Sequence, residues 1–150
     1  SSSAEIGTGL LVSEMCIRDI LQIDNIYIQS KISKNTHERK MTVNNTSGKY
    51  AHTKIKLIKN FTSYSFVEIT IETGRTHQIR LHTESIGHPI AGDSKYNDKN
   101  TKDMNKRIKL KRLFLHSYYL SFYFDQEYEF ILDLPMELKE VLSILETYNE

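Results

Sequence analysis

The chain has 150 residues, of which 39% are hydrophobic and 26% charged, with a formal net charge of +1. This composition fits one soluble domain with a core of moderate size and excludes a disordered chain. No apolar run approaches the ~20 residues that span a bilayer, and the start of the chain lacks the pattern of a signal peptide, so we expect a cytoplasmic protein.

The first nineteen residues are expected to be foreign to the natural protein. Residues 9–19, GLLVSEMCIRD, look like a translated sequencing adapter joined to a coding sequence. We therefore divide the chain into a non-native segment, 1–19, and one domain, 20–150. Cys16 is the single cysteine, which excludes an internal disulfide and any zinc site built from several cysteines. No redox motif surrounds it, and we interpret it as a bystander thiol.

Two strands are predicted before the middle of the chain. Residues 53–59 and 64–71 alternate polar and apolar side chains and are rich in β-branched and aromatic types. The intervening NFTS is short enough for a hairpin loop, so we expect the two strands to be antiparallel. The pattern does not decide between strand and loop for residues 20–35, and it predicts a long loop over 33–50.

The period becomes helical over residues 75–86. Thr73 or Thr76 can cap the first amides of this helix. Gly87 suits the left-handed position past its end, and Pro89 prevents its continuation.

The two faces of the predicted helix differ in character, and we expect one to be anchored and the other to be free for function. The anchored face carries Arg75, Ile79, His82 and Ile86, and the free face carries Thr76, Arg80 and Thr83, with His77 beside it.

Spacing argues against a metal site on this helix. His77 and His82 are five residues apart, about 140° around the axis, and no His-Glu-x-x-His pattern occurs. Structural roles remain open for the other polar residues. Arg80 can form an ion pair with Glu84, and His77, Gln78 and His82 can satisfy nearby backbone groups or helix ends.

A basic segment follows the helix. Residues 99–112 carry seven basic residues and one acid, a local charge of +6, so the rest of the chain sums to −5. Such a concentration suggests a surface that faces a polyanion, and the alternative is a solvated loop. In either case the segment is predicted to be a long loop.

The remaining residues complete an α+β domain. Residues 113–124 and 127–133 are predicted as a second strand pair, and MELKEVLSILETY, residues 136–148, spaces its apolar residues for a closing amphipathic helix. These apolar residues are Leu138, Val141, Leu142 and Leu145. The expected fold is a mixed, mainly antiparallel sheet with flanking helices.

Three motifs follow one another in the chain: TGRTHQIRLH, GHPIAGDSKY and RLFLHS. In sequence and spacing they resemble the C-terminal half of the RluA-type pseudouridine synthases, over about residues 38–148. GHPIAGD and KRLFLHSYYLSF are similar to the branch that modifies large-subunit ribosomal RNA. The resemblance implies that residues 20–150 are the C-terminal portion of the catalytic domain of an enzyme that isomerises uridine to pseudouridine. It also implies a reaction that needs no cofactor and a target base that is turned out of the stack. We further expect a monomer without a metal.

The resemblance also implies roles for individual residues. Family enzymes use an aspartate that attacks the nucleotide, a tyrosine that stacks on the base, and an arginine that pairs with the aspartate. An arginine fork holds the geometry of such a carboxylate and keeps it ionised. By position in the motif, Arg80 matches this arginine. We expect Arg75, His77 and Gln78 to support the motif or contact RNA, and Lys106, Arg107 and Lys109 to bind phosphates.

The chain departs from the family at the nucleophile. EIGTGLLV stands in place of the aspartate motif and puts Ala4 where the aspartate belongs, and the Lys-x-Tyr-x-Ala motif is absent, since KYA at Lys49 has the wrong spacing. We therefore expect a fragment without activity. Loss of the first half of the fold is expected to expose a strand edge and apolar surface. The alternative function is an RNA-binding module without chemistry.

Overall fold

The computed structural model describes residues 9–35, 40–72, 74–75, 77–96 and 101–148. Within them a seven-stranded sheet has the strand order β3-β2-β4-β5-β1-β6-β7, with helices on its faces. The strands are β1 Leu10–Arg18, β2 Asn25–Asn35, β3 Lys40–Val43, β4 Lys49–Asn60, β5 Tyr64–Ile71, β6 Leu115–Tyr123 and β7 Glu127–Ile131, and the helices are α1 Gln78–Ser85, α2 Lys102–Arg107 and α3 Met136–Tyr148.

The predicted α+β class and mainly antiparallel sheet are confirmed. Each of the six strand pairings in the described residues is antiparallel, so the parallel pair of a mixed sheet does not occur there. The predicted hairpin of β4 and β5 is present, and so is the pair of β6 and β7. The closing helix α3 buries Leu138, Val141 and Leu145, as its spacing predicts.

The prediction of a long loop over residues 33–50 is wrong. Strand β2 extends into this range, β3 lies within it, and β4 begins at its end. The part of β2 in this range, residues 33–35, is entirely polar, and β3 has only four residues, too few for a clear period. A turn between β3 and β4 fixes the pairing: Asn44 Oδ1 accepts the N–H groups of Thr46 and Ser47, each at 3.1 Å.

The basic segment is not a continuous loop either, because residues 102–107 form the short helix α2. Asp103 lies in the first turn, and Lys106 and Arg107 lie in the last, where charges of these signs oppose the helix dipole favourably. Lys99 and Asn100 fall outside the described residues.

Strand β1 consists of nine of the nineteen residues that are predicted to be non-native, and it lies between β5 and β6 in the sheet. Met15, Cys16 and Ile17 are fully buried there, and burial raises the pKa of the Cys16 thiol. Leu11 is paired with Ile71 at the end of β5, so the start of β1 lies beside the chain that leads into α1. The origin of this segment stays a prediction.

Each face of the sheet has its own apolar core. On one face, Ile79 of α1 packs with residues of β1, β4 and β5 such as Met15 and Ile55. On the other, Leu138 of α3 packs with residues that include Cys16 and Phe114. The helix α1 is therefore held against the face of the sheet opposite to α3.

Strand β7 leaves large apolar side chains at one edge of the sheet. Phe124, Phe130, Ile131 and Leu132 are all more than half exposed. In the described part of the chain, no helix has the length and hydrophobicity that a membrane crossing requires.

Candidate functional site

The helix α1 begins at a residue with unusual backbone geometry. His77 precedes it with φ 53° and ψ 22°, a left-handed conformation that few non-glycine residues adopt. This residue shortens the predicted helix at its start, and the helix ends as predicted with Gly87 at φ 80°. The predicted caps, Thr73 and Thr76, lie outside the described residues, and His77 makes no side-chain cap hydrogen bond.

Gln78 anchors the start of α1 to β4. Its side chain is buried, and its Nε2 donates to the carbonyl of His52 at 2.8 Å and to Thr53 Oγ1 at 3.1 Å. Its Oε1 accepts the N–H of Arg75 at 3.2 Å. The Arg75 Nε in turn donates to the carbonyl of Tyr50 at 2.7 Å. These bonds agree with the structural role that the sequence analysis left open for Gln78.

His82 ties the middle of α1 to the sheet. It is fully buried, and its ring nitrogens are each 2.7 Å from a hydroxyl: Nε2 from Ser30 Oγ on β2 and Nδ1 from Thr53 Oγ1 on β4. Burial lowers the pKa of His82 to about 4. The imidazole is therefore neutral at physiological pH and can donate from one nitrogen and accept at the other.

Arg80 binds the carboxylate of Asp93 at two points. The Arg80 Nε is 2.9 Å from Oδ2, and its Nη2 is 2.8 Å from Oδ1. The Asp93 side chain has no exposed surface, whereas that of Arg80 is 21% exposed. The proposed ion pair with Glu84 is therefore wrong: the carboxylate lies on the loop after α1, where it can meet the planar guanidinium along one edge.

The backbone around Asp93 completes its set of donors. Asp93 Oδ1 also accepts the N–H groups of Lys95 at 2.9 Å and Tyr96 at 3.1 Å. Burial raises the pKa of this carboxyl, but the hydrogen bonds from Arg80, Tyr96 and Lys95 outweigh burial, and the net pKa lies below its usual value. The hydrogen bond to Asp93 raises the pKa of Arg80, so both partners stay charged.

Gly92 allows the loop to present Asp93. It has φ 83°, and a Cβ at this position would overlap the carbonyl oxygen of Arg112. Only glycine combines this conformation with so close an approach of the two backbones. The loop is thereby packed against the end of the basic segment.

Tyr96 joins the ion pair to His77. Its ring is buried, with the Arg80 guanidinium carbon 5.1 Å from its centroid. Its hydroxyl accepts the N–H of Met41 at 2.8 Å and lies 2.7 Å from His77 Nδ1. Burial, and then the neighbouring Arg80 and Lys95 charges, lower the pKa of His77. We call His77, Arg80, Asp93 and Tyr96 the Arg80 cluster.

The face of α1 that was expected to be free is largely occupied. Thr83 is fully buried and donates to the carbonyls of Ile79 and Arg80, at 3.0 and 3.1 Å. Arg80 itself lies against the loop of residues 91–96. Among the described residues of this face, Arg80 and the neighbouring His77 stay partly exposed.

The three predicted phosphate ligands of the basic segment do not share one surface. Lys106 and Lys109 line a groove of about 810 Å³ between α2 and α3, and Arg107 lines a separate cavity of about 280 Å³. Lys109 Nζ is 3.4 Å from Glu140 Oε1 on α3, an exposed ion pair. The groove is also lined by Lys102, Lys111 and Arg112, of which Arg112 pairs with Glu137 at 3.0 Å, so its cations still outnumber its acids.

Asp93 and Tyr96 were not among the predicted site residues, although both lie within the motif GHPIAGDSKY. The sequence feature that could have identified Asp93 is its position directly after a glycine, in a loop that follows the motif helix. No group of three or more His, Cys, Asp or Glu side chains in the described ranges is arranged to hold a metal ion.

Comparison with known proteins gives a consistent set of relatives. Residues 16–85 match the family model described as RNA pseudouridylate synthase. Ribosomal large subunit pseudouridine synthase D of Neisseria meningitidis is 34% identical over 128 residues, which are 79% of this chain and 34% of that protein. Ribosomal large subunit pseudouridine synthase C of Vibrio parahaemolyticus is 38% identical over 96 residues, 63% of this chain and 30% of that protein.

The fold also matches a solved structure. Human RNA pseudouridylate synthase domain containing 1 has a TM-score of 0.74 at 24% identity, over 85% of this chain and 56% of that one. This chain spans about a third of the length of the two bacterial relatives.

Proposed function

The chain belongs to the RNA pseudouridylate synthase family, and on this premise we propose that it is part of an enzyme that isomerises uridine to pseudouridine in RNA. The proposal includes the division made from the sequence, in which residues 20–150 are the C-terminal portion of the catalytic domain. It assigns Arg80 to the catalytic site as the partner of the aspartate that the resemblance requires.

The observation that carries this proposal is the two-point ion pair of Arg80 with Asp93. Asp93 uses Nε and Nη2 of the guanidinium, and among the described residues no acceptor binds Nη1. An arginine fixed along one edge can offer the other edge to a second anion in a defined direction. A nucleophilic carboxylate held in this way keeps its charge and its orientation.

For the substrate we propose large-subunit ribosomal RNA. Two relatives carry this substrate class in their names. The groove that contains Lys106 and Lys109 offers the cations that an RNA backbone requires, and most of RNA affinity comes from such contacts. We also propose a cytoplasmic monomer.

A second candidate is an RNA-binding module without chemistry. It is favoured by one observation, the alanine at position 4 where the family has its aspartate. The two candidates differ in what the natural gene encodes before codon 20. An in-frame Arg-Leu-Asp motif supports the isomerase, and a stop codon or unrelated sequence supports the module.

The experiment that tests the proposal uses the gene product with its natural upstream sequence. It is incubated with a large-subunit ribosomal RNA transcript, and pseudouridine is detected by carbodiimide labelling and primer extension. A primer stop that depends on the enzyme supports the proposal. An intact, folded gene product that contains the aspartate motif but forms no pseudouridine in ribosomal or transfer RNA contradicts it.

A further inference from the structure

We propose that the exposed face of β2 and β4 binds single-stranded RNA by stacking bases on Tyr27 and Tyr50 among phosphate-binding lysines. This face lies apart from the Arg80 cluster and was not assigned by the sequence analysis. The choice of RNA as the ligand rests on the proposed function. We call it the tyrosine–lysine face, and it consists of Tyr27, Lys31, Tyr50, His52, Lys54 and Lys56.

The charge of the two strands is one-sided. Together β2 and β4 contain six lysines and neither aspartate nor glutamate. The whole chain has almost equal numbers of basic and acidic residues, 20 and 19, so this concentration is a local feature. Three of these lysines, Lys31, Lys54 and Lys56, lie on the proposed face, and Lys56 is also paired with Glu68 of β5. This local excess of lysine is the electrostatic footprint expected of a polyanion site.

The strand register sets aromatic residues opposite lysines. Tyr27 is paired with Lys54, and Lys31 is paired with Tyr50. The Lys31 Nζ lies 4.9 Å from the centroid of the Tyr50 ring. Because alternate residues of a strand share a face, the stacking surfaces and the positive charges occupy the same side of the sheet.

The aromatic rings are available to a ligand. Tyr27 is 65% exposed and Tyr50 is 59% exposed, so each ring has free area that a base could cover. His52 lies between them, with its ring centroid 6.3 Å from that of Tyr27 and 6.2 Å from that of Tyr50. The ring planes of Tyr50 and His52 are nearly parallel, with an angle of 22° between them.

The tyrosine–lysine face is connected to the motif helix. Ala51 and Thr53 point toward the α1 side of the sheet, so the neighbouring Tyr50 and His52 point to the opposite side. Beyond the end of β5, the carbonyl of Tyr50 accepts from Arg75 Nε. Arg75 therefore lies at the end of the strands, where β4 begins and β5 stops, and links this face to the start of α1.

Exposed aromatic rings interleaved with cations favour single strands over duplex. Bases of a duplex are stacked on one another and cannot stack on a protein side chain, whereas unpaired bases can. Lysines alone would bind any polyanion, but the tyrosines add a contact that requires an unstacked base. We therefore expect this face to prefer single-stranded RNA over double-stranded RNA of equal charge.

Fluorescence anisotropy of a labelled twelve-nucleotide single-stranded RNA tests the proposal on the 150-residue chain. Tyr27→Ile and Tyr50→Ile remove a ring but keep a residue that favours strands. Each is expected to weaken binding about tenfold, within the range measured for a lost base stack. Tyr123→Ile is the matched control, because Tyr123 is 67% exposed at the other end of the sheet, on β6.

Lys54→Ala combined with Lys56→Ala supplies an independent readout. Two lost phosphate contacts are expected to flatten the plot of log K against log salt by about 1.4 on a single strand. Circular dichroism melts establish that each variant is folded under the assay conditions. A duplex of the same length is expected to show less than a twofold response to either tyrosine substitution.

Several results would overturn the inference. These are wild-type binding by both folded tyrosine variants, an equal loss in Tyr123→Ile, or a folded chain that binds no single-stranded RNA. A preference for an unrelated protein over RNA at this face would overturn it too. The pseudouridine assay stays separate: if it fails while the tyrosine variants lose binding, the proposed function falls and this face stands, and the converse result removes this face alone.

Discussion

Arg80 and Asp93 face each other along one edge of the guanidinium, with two hydrogen bonds of 2.9 and 2.8 Å. The carboxylate is fully buried, and the arginine retains some exposed surface. An isolated buried carboxylate is costly, so the pair has to form if this loop is to close against α1. The same contact fixes the orientation of the guanidinium, whose opposite edge could then bind a second anion.

The first prediction concerns the stability of this pair. Asp93→Asn keeps the shape of the side chain but leaves Arg80 with an uncompensated charge, and we expect a loss of about 2–4 kcal/mol in the free energy of unfolding. Asp133→Asn is the control, because Asp133 pairs with Lys139 on the surface, and its loss is expected to destabilise the protein much less than Asp93→Asn does. Urea unfolding measures both. Equal effects of the two substitutions would show that the buried pair has no special weight.

The second prediction concerns pH. Burial holds the pKa of His82 at about 4 in the folded protein, against about 6.5 in the unfolded chain. Between these values the unfolded chain binds more protons, so stability rises with pH from about 4 to about 6.5. Acidification across this window is expected to remove up to about 3 kcal/mol.

The variant His82→Gln isolates this contribution. Glutamine can also donate and accept a hydrogen bond but does not titrate, so its stability is expected to depend less on pH over the same window. Urea unfolding at pH 4.5, 5.5, 6.5 and 7.5 compares the two proteins. Parallel pH profiles would assign the dependence to other groups.

The third prediction concerns the basic segment. Replacing Lys106, Arg107 and Lys109 by alanine is expected to flatten the salt dependence of RNA binding by roughly two units, about 0.7 for each single-strand phosphate contact. Arg107→Ala alone measures the contribution of Arg107 to the salt dependence apart from that of the two lysines, because Arg107 does not line the groove that holds them. An unchanged slope in the triple variant would make the segment a solvated surface.

The fourth prediction is that the 150-residue chain forms no pseudouridine. Asp19 follows the far end of β1, whereas the start of that strand lies beside the approach to α1. Arg80 is bound by Asp93, and among the described residues neither Asp19 nor Asp24 forms an ion pair with it. Incubation of the purified chain with a ribosomal RNA transcript measures this. Turnover that Asp24→Asn abolishes would show that the chain supplies its own nucleophile.

Much of the fold follows from the sequence because its elements carry clear periodic patterns. Strand β5 alternates over residues 67–71, and α3 spaces Leu138, Val141 and Leu145 on one side, so both were predicted. Strand β3 was missed because it has only four residues, and its pairing depends on the turn at Asn44. Such a strand is defined by its neighbour and not by its own pattern.

The candidate site shows the same division. Arg80 was predicted from the resemblance, but its partner Asp93 was not. Asp93 lies in a loop thirteen residues after Arg80, so the spacing of residues along a helix could not predict this contact. The left-handed His77 likewise shortened a helix whose periodicity begins earlier. Contacts of this kind depend on how the chain returns to the helix, which local sequence does not encode.

We propose that Arg80 acts on the reaction and not only on the fold. The test is the substitution Arg80→Lys in the gene product with its natural upstream sequence. Lysine keeps the charge but cannot reproduce a planar two-point contact. Glu84→Ala is the matched control, since Glu84 is exposed on the same helix and does not bind Arg80.

The measurement is the single-turnover rate of pseudouridine formation at saturating enzyme, with each variant shown to be folded at the assay temperature. Arg80→Lys is expected to lose at least ~100-fold in rate, or about 2.7 kcal/mol on the barrier, while RNA affinity changes by less than about threefold and Glu84→Ala retains the parental rate. A near-parental rate for folded Arg80→Lys would show that Arg80 is only a structural partner of Asp93.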